Sequence, residues 1–344
     1  MSEKKKSGSS FMSMLVQLRT YGVLILLCIF FGLMAPNFLS GANIPILAKH
    51  IAVNAILAMG LVFVLLTGGI DLSIGSIVGL AGMVAGGLIY EGLNLDFLGI
   101  TIYFNVPAIM VIAIVMGMLI GMANGWIITK FNVAPFIVTL GMMYIARGLA
   151  LLRSNGATFP NLQGSAELGT TGFPILGSGR FLNVPLSVWI TAALALFFIY
   201  LARKTPFGRH VYAVGGNETA SRLSGINVKK VIIWVYMISG MTAALVGLIV
   251  TSELVAAHPA TGTSYEMNAI AAAVLGGTSL AGGRGTIGGT IVGACIIGVL
   301  NDGMVMMGVS EFWQTVIRGL VIIVAVVLDT IQAEIQRKSA MAKL

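Results

Sequence analysis

Five ionisable side chains, Asp71, Arg147, Glu266, Asp302 and Arg318, lie inside or at the edge of long apolar runs. In a bilayer each would cost several kcal/mol unless it faced a cavity or a partner, so each marks either a function or a built-in polar contact. Asp71 stands in TGGIDLSIGS (67–76), and both Asp71 and Ser73 are good N-cap residues flanked by glycines that permit a tight turn. A helix cap is favoured there over contact with a solute. Glu266 opens an apolar run near the outer surface, where an N-terminal carboxylate suits the helix dipole. Arg147 and Arg318 have acids or backbone carbonyls open to them as partners. The uncharged polar residues at depth are Asn54, Asn124, Thr139, Asn268 and Asn301, for which interhelical hydrogen bonds are the plain reading. Together with Trp126, Phe136, Tyr265 and Trp313 they would also suit a path for a neutral polyol.

Other chemistries are poorly represented. No Gly-x-x-x-x-Gly-Lys-Ser/Thr loop is present to cradle nucleotide phosphates. Gly283-x-Gly285-x-x-Gly288, with Asp302 downstream, matches a dinucleotide fingerprint on paper. That fingerprint needs a preceding strand, whereas apolar runs of membrane length flank this one, so close helix packing explains the glycines better. His50, His210 and His258 are scattered, and Cys28 and Cys295 each sit alone in an apolar run. No nucleophile–base pair or metal-ligand set emerges, and the expectation is a chain with no cofactor and no catalytic residues of its own.

The elements that position these residues follow from composition. The AVILMFWYC set makes up 57% of the 344 residues and charged residues only 9%, far too few to cover a soluble globule of this size. At about 20 apolar residues per crossing, ten helical spans are predicted, at 21–36, 51–67, 73–90, 107–128, 134–152, 185–202, 231–251, 267–282, 286–307 and 313–332. With the N-terminus inside, 15 of the 20 Lys and Arg fall on the cytoplasmic side and only Lys49, Arg153 and Arg180 outside. The expected fold is an all-α polytopic membrane protein of about ten transmembrane helices with both termini cytoplasmic. It divides into a tail (1–20), a transmembrane domain (21–333) with an external loop (153–184) and a cytoplasmic loop (203–230), and a second tail (334–344). The net charge of +8 reads as membrane orientation rather than nucleic-acid binding. Gly68–Leu72 is echoed by Gly276–Leu280, and Asn54-Ala55-Ile56 by Asn268-Ala269-Ile270. A parallel duplication and the chance echoes of glycine-rich sequence both remain open.

The cytoplasmic loop is the most specific stretch. In TPFGRHVYAVGGNETASRLSGINV (205–228), Asn217 is an N-cap residue, Glu218 suits a first turn and Gly225 suits a left-handed C-terminal position. A two-turn helix with Ala220, Leu223 and Ser224 on a mildly apolar face is predicted. It serves either as a solvated connector or as a docking peg for a partner's groove.

Four stretches, TGGIDLSIGS (67–76), PFIVTLGMM (135–143), the loop 205–228 and YEMNAIAAAVLGGTSLAGGRGTIGG (265–289), together resemble the membrane permease subunits of bacterial ATP-binding-cassette sugar importers. The likeness spans about residues 20–333 and lies in the ribose, galactoside, xylose and arabinose branch, with ribose permeases nearest in pattern. It implies a subunit in the bacterial plasma (inner) membrane, surrounded by lipid and paired with a second permease copy, identical or related. It further implies separate ATPase subunits and a periplasmic or lipid-anchored binding protein that delivers a monosaccharide, with no nucleic acid involved. The family's ATPase-contacting motif falls on Gly216, Asn217, Glu218, Ala220 and Gly225. Branched-chain amino-acid permeases of the wider family and an ion-coupled secondary transporter using Asp71 or Asp302 are the alternatives.

Overall fold

The computed structural model describes residues 20–96 and 99–341. Lys4, Lys5, Lys6 and Arg19, which carry part of the charge asymmetry, lie outside the described residues. Helix α1 (Thr20–Met34) leads to α2 (Asn43–Leu66) and α3 (Ile74–Tyr90). A short antiparallel hairpin follows, β1 (Leu93–Leu95) with β2 (Ile100–Ile102). Helix α4 (Val106–Phe131) starts where the Asn105 side chain accepts from the Ala108 N–H, and it stops at Asn132, whose φ of 54° is left-handed. Next come α5 (Pro135–Leu152), the single turn α6 (Ile175–Ser178), the pair β3 (Arg180–Phe181) and β4 (Val184–Pro185), and α7 (Leu186–Lys204). The loop expected on the cytoplasmic side forms α8 (Pro206–Gly216) and α9 (Glu218–Leu223). The chain ends with α10 (Val228–Leu254), α11 (Tyr265–Leu275), α12 (Ile287–Met306) and α13 (Glu311–Met341).

Helix α2 is the axis of the bundle and packs against α7, α10, α11 and α12, which explains why its sequence is apolar on all sides. The most extensive pairing is α10 on α4. Gly117, Gly121 and Gly125 form a stripe at four-residue spacing along α4, and a methyl group on any of them would overlap α10 backbone at Gly240, Tyr236 or Ile233. Lipid offers no hydrophobic drive between helices, so such close backbone approach is what holds them together. Much of the chain's glycine is spent in this way.

Helices occupy all ten predicted apolar runs, and among the described residues six of them (α2, α4, α5, α7, α10 and α12) are long and apolar enough to cross a bilayer. The eighth run departs from expectation. Helix α11 stops at Leu275, and its 11 residues span only about 16 Å, half of a hydrocarbon core. The segment before it is irregular but deep: Ala257 packs at Gly86, the carbonyls of Pro259 and Thr261 at Gly79, and the Gly262 carbonyl at Gly75. The backbone thus descends along the glycine face of α3 and becomes helical only at Tyr265. The side of this segment that carries Ala257, Pro259 and Gly262 is covered by protein, while His258, Ala260, Thr263 and Ser264 are exposed, and non-helical backbone at depth needs such cover from lipid. Glu266 is therefore placed beside the start of α3 rather than at the outer surface.

Both deep turns have the same construction. After α2, Gly68 N–H bonds to Leu65 O and Gly69 N–H to Val64 O; after α11, Gly277 N–H bonds to Val274 O and Thr278 N–H to Ala273 O. Each is a Schellman cap whose left-handed residue is glycine, Gly68 at φ 79° and Gly277 at φ 86°. The structural match therefore aligns Gly68 with Gly277, one residue away from the sequence echo, and the Asn54 and Asn268 triplets do not fall in register. Gly283 and Gly285 also lie in a turn at positive φ with no strand before them, while Gly293 presses on α11 backbone at Ala272 and Gly289 on its C-cap, Gly276.

Candidate functional site

The loop between α7 and α10 folds against both deep turns. Helix α8 begins at Thr205, whose hydroxyl accepts from the Gly208 N–H, with Pro206 at the first helical position. Tyr212 donates its hydroxyl to the Gly285 carbonyl at 2.8 Å. Burial pushes that phenol above its ordinary range, against the opposing pull of Arg203. Gly215 touches the end of α2 so closely that any side chain would overlap the Leu66 carbonyl, and Leu66 in turn accepts from the Gly283 N–H at 2.8 Å. Three segments are thus clasped backbone to backbone at one point.

Helix α9 projects from this base. The Asn217 side chain accepts from the Ala220 N–H at 2.9 Å, and Glu218 pairs with Arg222 one turn on. At the other end, Gly225 N–H bonds to Arg222 O and Ile226 N–H to Ser221 O, with Gly225 at φ 84°. This third Schellman cap has its glycine at the position expected from sequence. Ser221 is the inward anchor, whereas Ala220 and Ser224 are exposed and Leu223 is 85% exposed. Gly216 supplies the last residue of α8 and faces open space.

A cleft of about 650 Å³ runs inward from α9. Glu218 and Arg222 stand on one wall, Lys130 and Lys229 on others, and Thr67, Gly68, Gly69 and Tyr236 lie at its inner side. The Ile70 carbonyl is 3.3 Å from the Tyr236 hydroxyl and 3.2 Å from that of Thr139. Next in sequence is Asp71, fully buried. Its Oδ1 accepts from the Ser73 N–H at 3.0 Å and the Ser73 hydroxyl at 2.6 Å, and its Oδ2 accepts from Ser239 on α10 at 2.8 Å. Asn124 on α4 donates to Ser73 at 3.0 Å, leaving its own Oδ1 buried with no partner. Asp71 rather than Ser73 is the side chain that caps the turn, since Ser73 makes no side-chain cap bond to α3.

Of the polar residues expected at depth, the structure collects Asp71, Asn124 and Thr139 around this turn. Glu266 lies close by, at the start of α3 against Gly75. Arg147 reaches backbone carbonyls, those of Pro259, Thr261 and Gly75, and so fastens the descending segment to α3. Arg318 bonds to Gln314 and Thr315 of its own helix. Asn54 donates to the His50 carbonyl in its own helix, and Asn268 is buried in α11. Asn301 keeps a buried Oδ1 without a partner, beside Asp302. Asp302 itself binds Asn43 at 2.8 Å and approaches His50 at 3.5 Å. Ser239, Tyr236 and Tyr212 escaped the sequence reading because a lone hydroxyl in an apolar run gives no local signal of its partner.

Over residues 44–326 the chain matches the family described as branched-chain amino acid transport system / permease component. It is 44% identical over 312 residues to the ribose import permease protein RbsC of Bacillus subtilis, covering 89% of this chain and 90% of that one. It is 41% identical to the Escherichia coli K12 protein of the same name, covering 92% and 94% of the two chains. It is 35% identical to the E. coli xylose transport system permease protein XylH, covering 85% and 86%. No solved structure matches.

Proposed function

The chain belongs to the branched-chain amino acid transport system / permease component family, and from that premise we propose that it is the permease of an ATP-driven importer carrying a monosaccharide, a ribose-like pentose or a hexose. The observation that carries the sugar reading is the 44% identity, over nine-tenths of both chains, to a ribose import permease. Two copies, identical or related, form the pathway in the bacterial plasma membrane. ATPase subunits dock below and a binding protein delivers the sugar from above. ATP binding draws the ATPases together, α9 receives the movement, and the clasp at Gly215, Leu66 and Gly283 passes it to both deep turns, rocking the bundles between outward- and inward-open states. The cleft beneath α9 is the exit. Its mixed polar wall suits a neutral polyhydroxylated solute that must leave quickly, and specificity resides in the binding protein.

Uptake into proteoliposomes containing the cognate ATPase and binding protein tests this reading. Labelled-sugar uptake should require internal ATP, persist when the proton gradient is collapsed, and be competed by pentoses or hexoses. Competition by leucine or valine alone would move the chain to the amino-acid branch that the family description names.

The proposed topology has ten crossings and cytoplasmic termini. Leu223 is the residue of choice for checking it, because Ser221 points inward and would be masked on either side. With Cys28 and Cys295 replaced by alanine, Leu223→Cys should react with an impermeant maleimide in inside-out vesicles and not in intact cells. Labelling in intact cells would invert the topology.

A further inference from the structure

Two depressions on the loop side of the molecule meet at Phe207 and Trp234. The outer one, about 410 Å³, is rimmed by Lys230, His210 and Asn227 and by Gly225 at the end of α9. The inner one, about 450 Å³, is apolar throughout and is walled by Phe197, Met237 and Met241 among others. No acidic residue lines either, and no carboxylate pairs with Lys230 among the described residues.

From this shape we infer a binding site for one anionic glycerophospholipid of the cytoplasmic leaflet, with its phosphate at Lys230 and an acyl chain along Met237 and Met241. Length supports the assignment. Lys230 and Met241 are eleven residues apart on α10, about 16 Å, which is half of a roughly 30 Å hydrocarbon core and so the depth of one leaflet. Trp234, 52% exposed, sits between the two halves, where an indole prefers the boundary of headgroup and chain. Charge supports it as well, since an uncompensated ammonium at the rim attracts an anionic headgroup by about 1 kcal/mol, or fivefold. The methionines add a deformable wall that fits an irregular chain. A free phosphate would use the rim but leave the apolar half empty, so the continuous groove selects the lipid. Because Gly225 closes the rim, an occupied site braces the C-terminal cap of α9. The inference rests on the chain spanning the membrane with this loop inside, and not on which solute crosses.

Native mass spectrometry of the full chain in detergent tests it, with phosphatidylglycerol and phosphatidylcholine of matched chain length supplied together. The parent should retain one phosphatidylglycerol in about fivefold preference. Lys230→Gln should bring the ratio close to one, while Lys130→Gln, on the separate cleft, should leave it unchanged. Met241→Trp, which fills the apolar end, should lower retention of both lipids. Glycerol 3-phosphate should not displace the bound lipid. Equal retention by the parent, an undiminished preference in Lys230→Gln, loss of the preference in Lys130→Gln, or displacement by glycerol 3-phosphate would each overturn the assignment.

Discussion

Replacing Asp71 by leucine should reduce transport to below about a tenth of the parent and lower the thermal stability of the solubilised protein, whereas Asp71→Asn should keep more than half of the transport. The difference follows from the hydrogen bonds. Leucine leaves the Ser73 N–H and the Ser239 hydroxyl buried with no acceptor, and each such orphan costs about 1–3 kcal/mol. It also unties the turn between α2 and α3 from α10, the helix that holds α4 through backbone contact. Asparagine keeps an oxygen for Ser73 and presents an amide that donates to Ser239, so the tie is remade with its polarity reversed. Fluorescence-detected thermal melts, run beside the uptake assay, separate the two candidate roles. If Asp71→Asn melts like the parent yet transports nothing, the carboxylate meets the solute and the capping role is insufficient.

The parts of this fold that were legible in sequence are those written over a few adjacent residues. Asn217 and Gly225 bracket α9 because an N-cap and a left-handed glycine each act on backbone within three or four residues. Long apolar runs were equally plain, since length and composition alone suffice to mark them. The break inside the eighth run was not legible. Residues 267–282 are apolar enough to read as one helix, but Gly277 turns the chain after Leu275, and upstream Ser264 takes a left-handed φ of 66° just ahead of the helix. Only packing against the glycines of α3 makes that irregular descent affordable at depth. For the same reason the sequence places Glu266 in the first turn of its helix but near the outer surface, whereas it lies against Gly75.

The candidate site divides along the same line. Asp71 and Asn124 stood out as polar residues in apolar surroundings, but they connect through Ser73, which lies 51 residues from Asn124. Ser239 is farther still, 168 residues from Asp71. No periodicity carries such information, because a helix face specifies what is buried and not which partner it meets. The clasp of Gly215 on Leu66 and Gly283 has a related character. A glycine there is indistinguishable in sequence from the 43 others. Its role appears only when a side chain at that position is seen to strike backbone.

Glu218→Lys should have the largest effect on coupling and almost none on folding. The Glu218–Arg222 pair is exposed on both sides, so losing it is worth at most about 1 kcal/mol, and the residues that anchor α9, Asn217, Ser221 and Gly225, are untouched. What changes is the surface: a cation replaces an anion in the first turn, opposed by the helix dipole and set beside Arg222, Lys130 and Lys229 on the rim of the cleft beneath α9. If α9 docks into an ATPase subunit, the variant should insert and melt like the parent, while ATP hydrolysis in proteoliposomes no longer rises with sugar-loaded binding protein and uptake falls by tenfold or more. Gly225→Val serves as the opposite control. A β-branched residue at φ 84° is strained by about 1–2 kcal/mol, so it should loosen the cap and lower coupling through the helix itself. Asn217→Ala, at about 1 kcal/mol, should fall between the parent and Gly225→Val. A docking surface therefore predicts that damage to coupling does not follow damage to helix stability, with Glu218→Lys the least destabilised and the most uncoupled. Were coupling instead to fall in order of helix stability, Gly225→Val worst and Glu218→Lys mildest, α9 would be a connector and the ATPase contact would lie elsewhere on the cytoplasmic face.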